Sequence, residues 1–149
     1  MQQNNSSFVE DLGNGVYCER LLDGQILVFT LTSMTRVAVD TWADTQLRLL
    51  QAWPTDRPIC ILGDQSAMPQ LTFSPYMKSR FMDFGAVSNG KSGRIALVLG
   101  KNFFPQIVNL LVRTLPMEKM QVRCFKQRDH ALAWLKEIVV TAESVKVTN

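Results

Sequence analysis

Apolar residues in this chain fall into short runs whose spacing changes between the two-residue period of strands and the longer period of helices. Residues 16–32 contain two extended runs, and Asp23-Gly24 between them supplies the positive φ that a tight hairpin turn requires. The chain is therefore predicted to open with an antiparallel pair of strands.

A helix and a buried strand follow this hairpin. Residues 35–53 show helical periodicity with Trp42 and Trp53 on the inward side, and Pro54 ends the segment. Residues 58–63 form a short continuous apolar run, which is typical of a strand buried on both sides of a parallel sheet.

The second helix is marked by its first residues. After a loop over residues 64–73, Ser74 provides an N-cap and Pro75 occupies the first helical position. The pattern predicts that this helix ends at Gly85 or Gly90.

The last part of the chain again alternates predicted strands with predicted helices. Residues 94–100 are the most strand-like segment, and Asn102 then caps a third helix over residues 103–115. Residues 121–125 alternate as a strand with one wetter side, which indicates a sheet edge, and residues 127–140 form a closing helix.

The resulting order, ββαβαβαβα, predicts an α/β fold with a mostly parallel five-stranded sheet and an N-terminal antiparallel hairpin. Residues 8–140 are predicted to form one domain, between a polar tail over residues 1–7 and a C-terminal tail over residues 141–149. Right-handed crossovers put the helices between adjacent strands on one face of the sheet. Cover for the other face is expected from a helix that crosses over, from Phe8 and Val9, or from a second copy.

Residues 94–135 resemble a known family. The segments Arg94-Ile-Ala-Leu-Val, Val122-Arg-Cys-Phe and Ala131-Leu-Ala-Trp-Leu are similar to the R-I-A-V-V strand, the v-r-v-F strand and the A-x-x-W-L helix of STAS-like (SpoIIAA-like) bacterial domains. In element order the likeness extends over residues 15–139. It implies a right-handed β-α superhelix with sequence-adjacent strands as neighbours, and a regulatory or ligand-binding role without enzymatic residues.

One branch of that superfamily, the anti-sigma-factor antagonists, carries a phosphorylatable serine in an Asp-Ser-Ser-Gly motif at the start of the helix after the third strand. This chain has Gly-Asp-Gln-Ser-Ala over residues 63–67 and Phe-Ser-Pro over residues 73–75, so the motif is absent. Ser66 and Ser74 are the candidate phosphoacceptors in this region.

Composition excludes several classes of protein. With 149 residues, of which 46% are hydrophobic and 19% charged, the chain has the balance of one globular domain. Its apolar runs are far shorter than the roughly 18 residues of a membrane span. The net charge of +3 comes from scattered basic residues, so neither nucleic acid nor an anionic membrane is predicted as a partner.

Cysteine usage and the N-terminus bear on location. Cys18, Cys60 and Cys124 lie in strand-like apolar runs without metal-binding or redox spacing, which indicates reduced, buried thiols. Residues 1–7 lack the basic and apolar regions of a signal peptide. The expected location is cytoplasmic, and no metal or other cofactor is predicted.

Residues 85–92 match the phosphate-loop pattern G-x-x-x-x-G-K-[ST]. A phosphate loop leaves a strand and enters a helix, whereas this segment leaves a predicted helix and enters a predicted strand. A Gly-rich surface loop is therefore the preferred interpretation. A small nucleotide-binding protein or an enzyme using this loop is the alternative.

Other signs of catalysis are weak. His130 is the only histidine and lies in the first turn of the last helix, where side chains are usually exposed. Asp64, Asp83 and Glu118 are not paired in any motif that defines an acid-base site. The chain is accordingly predicted not to be an enzyme.

The third predicted helix carries more apolar residues than a sheet-packing helix requires, because its polar residues form only a narrow stripe. This surplus predicts either a pocket for a lipophilic small molecule between the second and third helices, or a homodimer interface. A regulatory protein is a further candidate partner. The expected working surface consists of Met77, Phe81, Phe84, Phe103, Phe104, Val108 and Leu111.

Overall fold

A computed structural model describes residues 7–68, 74–88, 90–100, 113 and 119–147. Within these ranges the chain forms one six-stranded mixed sheet whose strands are neighbours in the same order as in the sequence. The second strand pairs antiparallel with the first and with the third, and the third to sixth strands run parallel. The predicted α/β class and the parallel pairing of the later strands are thus confirmed. The strands are β1 Val9–Gly13, β2 Val16–Leu21, β3 Ile26–Leu31, β4 Ile59–Asp64, β5 Gly93–Val98 and β6 Met120–Phe125.

The number of strands differs from the prediction because β1 adds a sixth. It pairs with β2 through a turn in which Gly13, Asn14 and Gly15 all have positive φ. Its sequence, Val-Glu-Asp-Leu-Gly, lacks a clear apolar alternation because an edge strand buries little of either side. The sequence pattern therefore did not mark it.

Two helices cover one face of the sheet. Helix α1, Arg36–Gln51, begins after the N-cap Thr35, and helix α2, Pro75–Val87, begins after the predicted N-cap Ser74. Both pack on a cluster that includes Phe29 and Ile61. Their common face agrees with right-handed crossovers between adjacent parallel strands.

The final helix covers the opposite face. Helix α3, Arg128–Val147, packs Ala131, Leu135 and Val139 on side chains such as Val28 from the central strands. The predicted crossing helix is present on this face, whereas Phe8 and Val9 are 77% and 52% exposed. The helix also continues through residues 141–147, which were predicted to be a tail.

A cationic side chain attaches α3 to the sheet. Arg94, on β5, donates hydrogen bonds of 2.7 Å to the Trp134 carbonyl and 2.7 Å to the Glu137 carboxylate. Its guanidinium lies 4.8 Å from the centre of the Trp134 ring, and that ring also packs against Phe125. Residues that carry the family resemblance therefore contact one another where helix and sheet meet.

Candidate functional site

The predicted apolar surface on α2 is largely internal. Met77 is 1% exposed and Phe84 3%, and both belong to the core beneath α1 and α2. Phe81 is half-buried, with its ring 5.4 Å from that of Trp42. Packing between α1 and α2 therefore uses these side chains, and an exposed interface does not include Met77 or Phe84. The other predicted surface residues, Phe103, Phe104, Val108 and Leu111, lie outside the described residues.

The phosphate-loop match at residues 85–92 has the reversed context that the sequence predicted. Gly85 lies inside α2, and the segment enters β5 directly after Ser92. Lys91 donates a 2.8 Å hydrogen bond from Nζ to the Leu50 carbonyl and so caps the C-terminal end of α1. Helix C-termini carry partial negative charge, which disfavours a phosphate.

We expect the intact protein to show no ATP affinity that depends on Lys91. Replacing Lys91 by alanine should remove a cap on α1 and lower the free energy of unfolding by roughly 0.5–1.5 kcal/mol. Urea denaturation and ATP titration calorimetry on the same samples measure the two effects. ATP binding that Lys91→Ala abolishes would overturn the structural assignment of this lysine.

Several carboxylates gather around one arginine between α1 and α2. Arg80 forms ion pairs with Asp40, Asp44 and Asp83, and Tyr76 donates a hydrogen bond to Asp40. The ion pairs of Arg80 with Asp40 and Asp44 join the two helices, and the pair with Asp83 lies within α2. His130 is exposed at the start of α3, as predicted, and Glu118 lies outside the described residues.

The two candidate phosphoacceptors differ in their surroundings. The Ser66 hydroxyl donates a 2.6 Å hydrogen bond to the Asp64 carboxylate, which would repel a phosphate added there. Ser74 is exposed and accepts a 3.1 Å hydrogen bond from the Met77 amide as the N-cap of α2. A helix N-terminus favours negative charge, so Ser74 is electrostatically the better position of the two.

The three cysteines are free thiols, with Cys18 and Cys60 buried and Cys124 partly buried. Burial raises the pKa of the Cys60 thiol to about 12, and the nearby Arg94 only partly opposes this effect. Burial also raises the pKa of Cys18 and of Cys124. Thiols held in the neutral form are poor nucleophiles, which argues for structural roles.

Burial of Cys60 predicts a loss of stability at alkaline pH. The thiol ionises near its ordinary pKa of 9.0 in the unfolded chain but only near 12 in the folded one. Its stabilising contribution is therefore complete below pH 9.0 and is lost as the pH rises toward about 12. Urea denaturation at increasing pH should show a steeper decline for the natural chain than for Cys60→Val, which cannot ionise. An equal decline in stability for the two proteins would contradict the raised pKa of Cys60.

A cavity of about 350 Å³ opens beside the turn that joins β2 to β3. We call it the hairpin cavity. Its walls come from three separate parts of the chain: the start of β1, the end of β2 with its turn, and α3. The lining residues are Ser7, Phe8, Glu10, Cys18, Arg20, Leu21, Leu22, Asp23, Gly24 and Lys136.

The turn at this cavity has an unusual backbone. Leu22, Asp23 and Gly24 have φ values of 52°, 56° and 82°, so three consecutive residues are left-handed. The sequence predicted positive φ for Asp23-Gly24, but not for Leu22, where the conformation costs roughly 1–2 kcal/mol. Backbone strain of this kind is concentrated at functional sites, which draws attention to the cavity.

Charged side chains of both signs surround the cavity. Arg20 and Lys136 are basic, Glu10 and Asp23 are acidic, and none of the four forms an ion pair within the described residues. Glu10 lies opposite Cys18 in the β1–β2 register. The cavity therefore presents to any molecule that enters it charges that are not neutralised by another described residue.

A second cavity of about 310 Å³ lies at the C-terminal end of α1 and is lined by residues 53–58 and 90–92. Its one lysine, Lys91, is already bonded to the end of α1, and the C-terminal ends of α1 and α2 lie near it. This cavity therefore offers a ligand fewer available charged groups than the hairpin cavity does.

Comparison of the chain with family models, curated proteins and solved structures finds no match. None of the helices in the described part of the chain combines the length and apolar character needed to cross a membrane. The same residues contain no group of three or more His, Cys, Asp and Glu side chains that would suit a metal ion.

Proposed function

We propose that this chain is a non-enzymatic binding domain and that the hairpin cavity is its ligand site. The observation that carries the proposal is the set of four charges around a cavity of about 350 Å³, none of which forms an ion pair with another described residue. Ligand pockets in proteins start at roughly 300 Å³, so this cavity suits a small molecule.

Support for a non-enzymatic role comes from the thiols and from charged side chains outside the hairpin cavity that make structural contacts. Arg80 holds three carboxylates between α1 and α2, Lys91 caps α1, and Arg94 joins α3 to the sheet. The thiols are kept neutral by burial. These groups therefore have structural roles, whereas the four charges at the hairpin cavity form no ion pair in the part of the chain that the structure describes.

The STAS-like part of the proposal, a cytoplasmic regulatory domain, rests on topology and on one cluster. Sequence-adjacent strands are neighbours throughout the sheet, as that resemblance implies. Arg94, Phe125 and Trp134, which lie in the segments that carry the resemblance, pack together. A homodimer or a lipophilic pocket that uses residues 102–115 stays a prediction. Native mass spectrometry of the natural chain, Phe104→Asp and Leu111→Asp tests it, because it reports both the dimer and any bound ligand.

The cavity proposal is tested with a variant that fills its mouth. Ser7 is exposed at the edge of the cavity, so Ser7→Trp adds bulk there without disturbing the core. In ligand-observed NMR with a library of small polar and aromatic fragments, we expect fragments that bind the natural chain to lose at least tenfold in affinity for Ser7→Trp.

The matched control is Ser79→Trp, which places the same side chain on the exposed side of α2. Its fragment binding should equal that of the natural chain. The proposal fails if no fragment binds the natural chain, or if the bound fragments bind Ser7→Trp equally well.

A further inference from the structure

The hairpin cavity has a charge pattern that selects among ligands. Two basic side chains, Arg20 and Lys136, and two acidic ones, Glu10 and Asp23, line it together. Because the signs balance, an anion attracted by the basic pair is repelled by the acidic pair, and a cation meets the reverse situation. A molecule that carries one charge of each sign is attracted at both ends.

Apolar surface lies beside these charges. Phe8 is 77% exposed and belongs to the lining, and Leu21 and Leu22 contribute aliphatic surface from the turn. Covering an exposed aromatic ring with a ligand removes apolar surface from water and so favours binding. The favoured ligand therefore has an apolar body as well as two charges.

We propose that the hairpin cavity binds a small zwitterion with an apolar body, of the chemical class of an aromatic or branched α-amino acid. This inference rests on the proposed binding function and specifies its ligand class. Arg20 faces the ligand carboxylate, Glu10 faces its ammonium group, and Phe8 covers its side chain. Arg20 and Glu10 take these roles because both lie next to Cys18, on the same face of the β1–β2 pair.

Titration calorimetry with three probes of similar size tests the ligand class. L-phenylalanine carries both charges, phenylacetate lacks the ammonium group, and phenethylamine lacks the carboxylate. A hydrogen bond to a charged group contributes roughly 1.5–3 kcal/mol, so each single-charge probe should bind the natural chain at least tenfold more weakly than L-phenylalanine.

Variants connect the preference to individual side chains. Arg20→Met should weaken L-phenylalanine binding at least tenfold and leave phenethylamine binding unchanged, and Glu10→Gln should weaken L-phenylalanine binding but not phenylacetate binding. The control is Arg57→Met, which removes a charge at the second cavity and should change none of these affinities.

The outcomes separate the two proposals. If phenylacetate or phenethylamine binds as tightly as L-phenylalanine, and Ser7→Trp abolishes that binding, the cavity is a ligand site and the zwitterion assignment is overturned. If L-phenylalanine binds equally to the natural chain, Arg20→Met and Glu10→Gln, the assigned contacts are wrong. If none of the three probes binds, the zwitterion assignment fails, and the fragment library alone decides the binding function.

Discussion

Leu135→Ala is expected to lower the free energy of unfolding by about 2–5 kcal/mol, because it opens a cavity where α3 meets the sheet. Leu135 is fully buried in the cluster between this helix and β3, β4 and β5. Chemical denaturation followed by far-ultraviolet circular dichroism measures the change. The loss is a large part of the roughly 5–15 kcal/mol that stabilises a domain.

Leu132→Ala provides the matched control for this experiment. Leu132 lies one turn earlier on α3 and is only partly buried against the same cluster. Its replacement should cost clearly less than that of Leu135. Equal, small losses for the two variants would show that α3 does not pack on this face.

Gly93→Ala is expected to cost about 3 kcal/mol or more, because the new methyl group meets backbone atoms. A Cβ at Gly93 would lie 2.0 Å from the Ile59 carbonyl oxygen, at the point where β5 begins beside β4. The neighbouring strand has to move, since no flexible side chain is there to give way. Thermal denaturation should show a melting temperature lower by roughly 6–12 °C.

Gly63→Ala is the corresponding control within the same pair of strands. A Cβ at Gly63 would approach only the Cδ2 atom of Leu97, at 3.2 Å, and that side chain can rotate away. We expect a small change in melting temperature. A Gly93→Ala protein as stable as Gly63→Ala would contradict the close approach of β4 and β5.

Much of the fold was predictable because local chemistry and burial agree along most of the chain. Thr35 and Ser74 cap α1 and α2, and the continuous apolar runs of β4 and β5 are buried on both sides. Strand β1 was missed because its acidic residues lie at an exposed edge, although Gly13-Asn14-Gly15 was a visible turn signal.

The candidate site was not predictable from local patterns. Its lining joins residues near 8, 20 and 136, and only the path of α3 across the sheet places Lys136 beside the β2–β3 turn. Asp23-Gly24 indicated the turn but carried no sign of a cavity. Conversely, Met77 and Phe84 resembled a binding surface because hydrophobic spacing alone does not distinguish core from interface.

The measurement that tests the binding site most directly is a two-dimensional ¹H–¹⁵N NMR titration of the intact chain. The probes are L-phenylalanine, phenylacetate and phenethylamine, added together and then singly. Binding at the hairpin cavity predicts the largest amide shifts at Phe8, at residues 20–24 and at Lys136. Shifts centred on residues 90–92 would contradict this site. No shifts with these probes or with any fragment of the library would contradict the binding function.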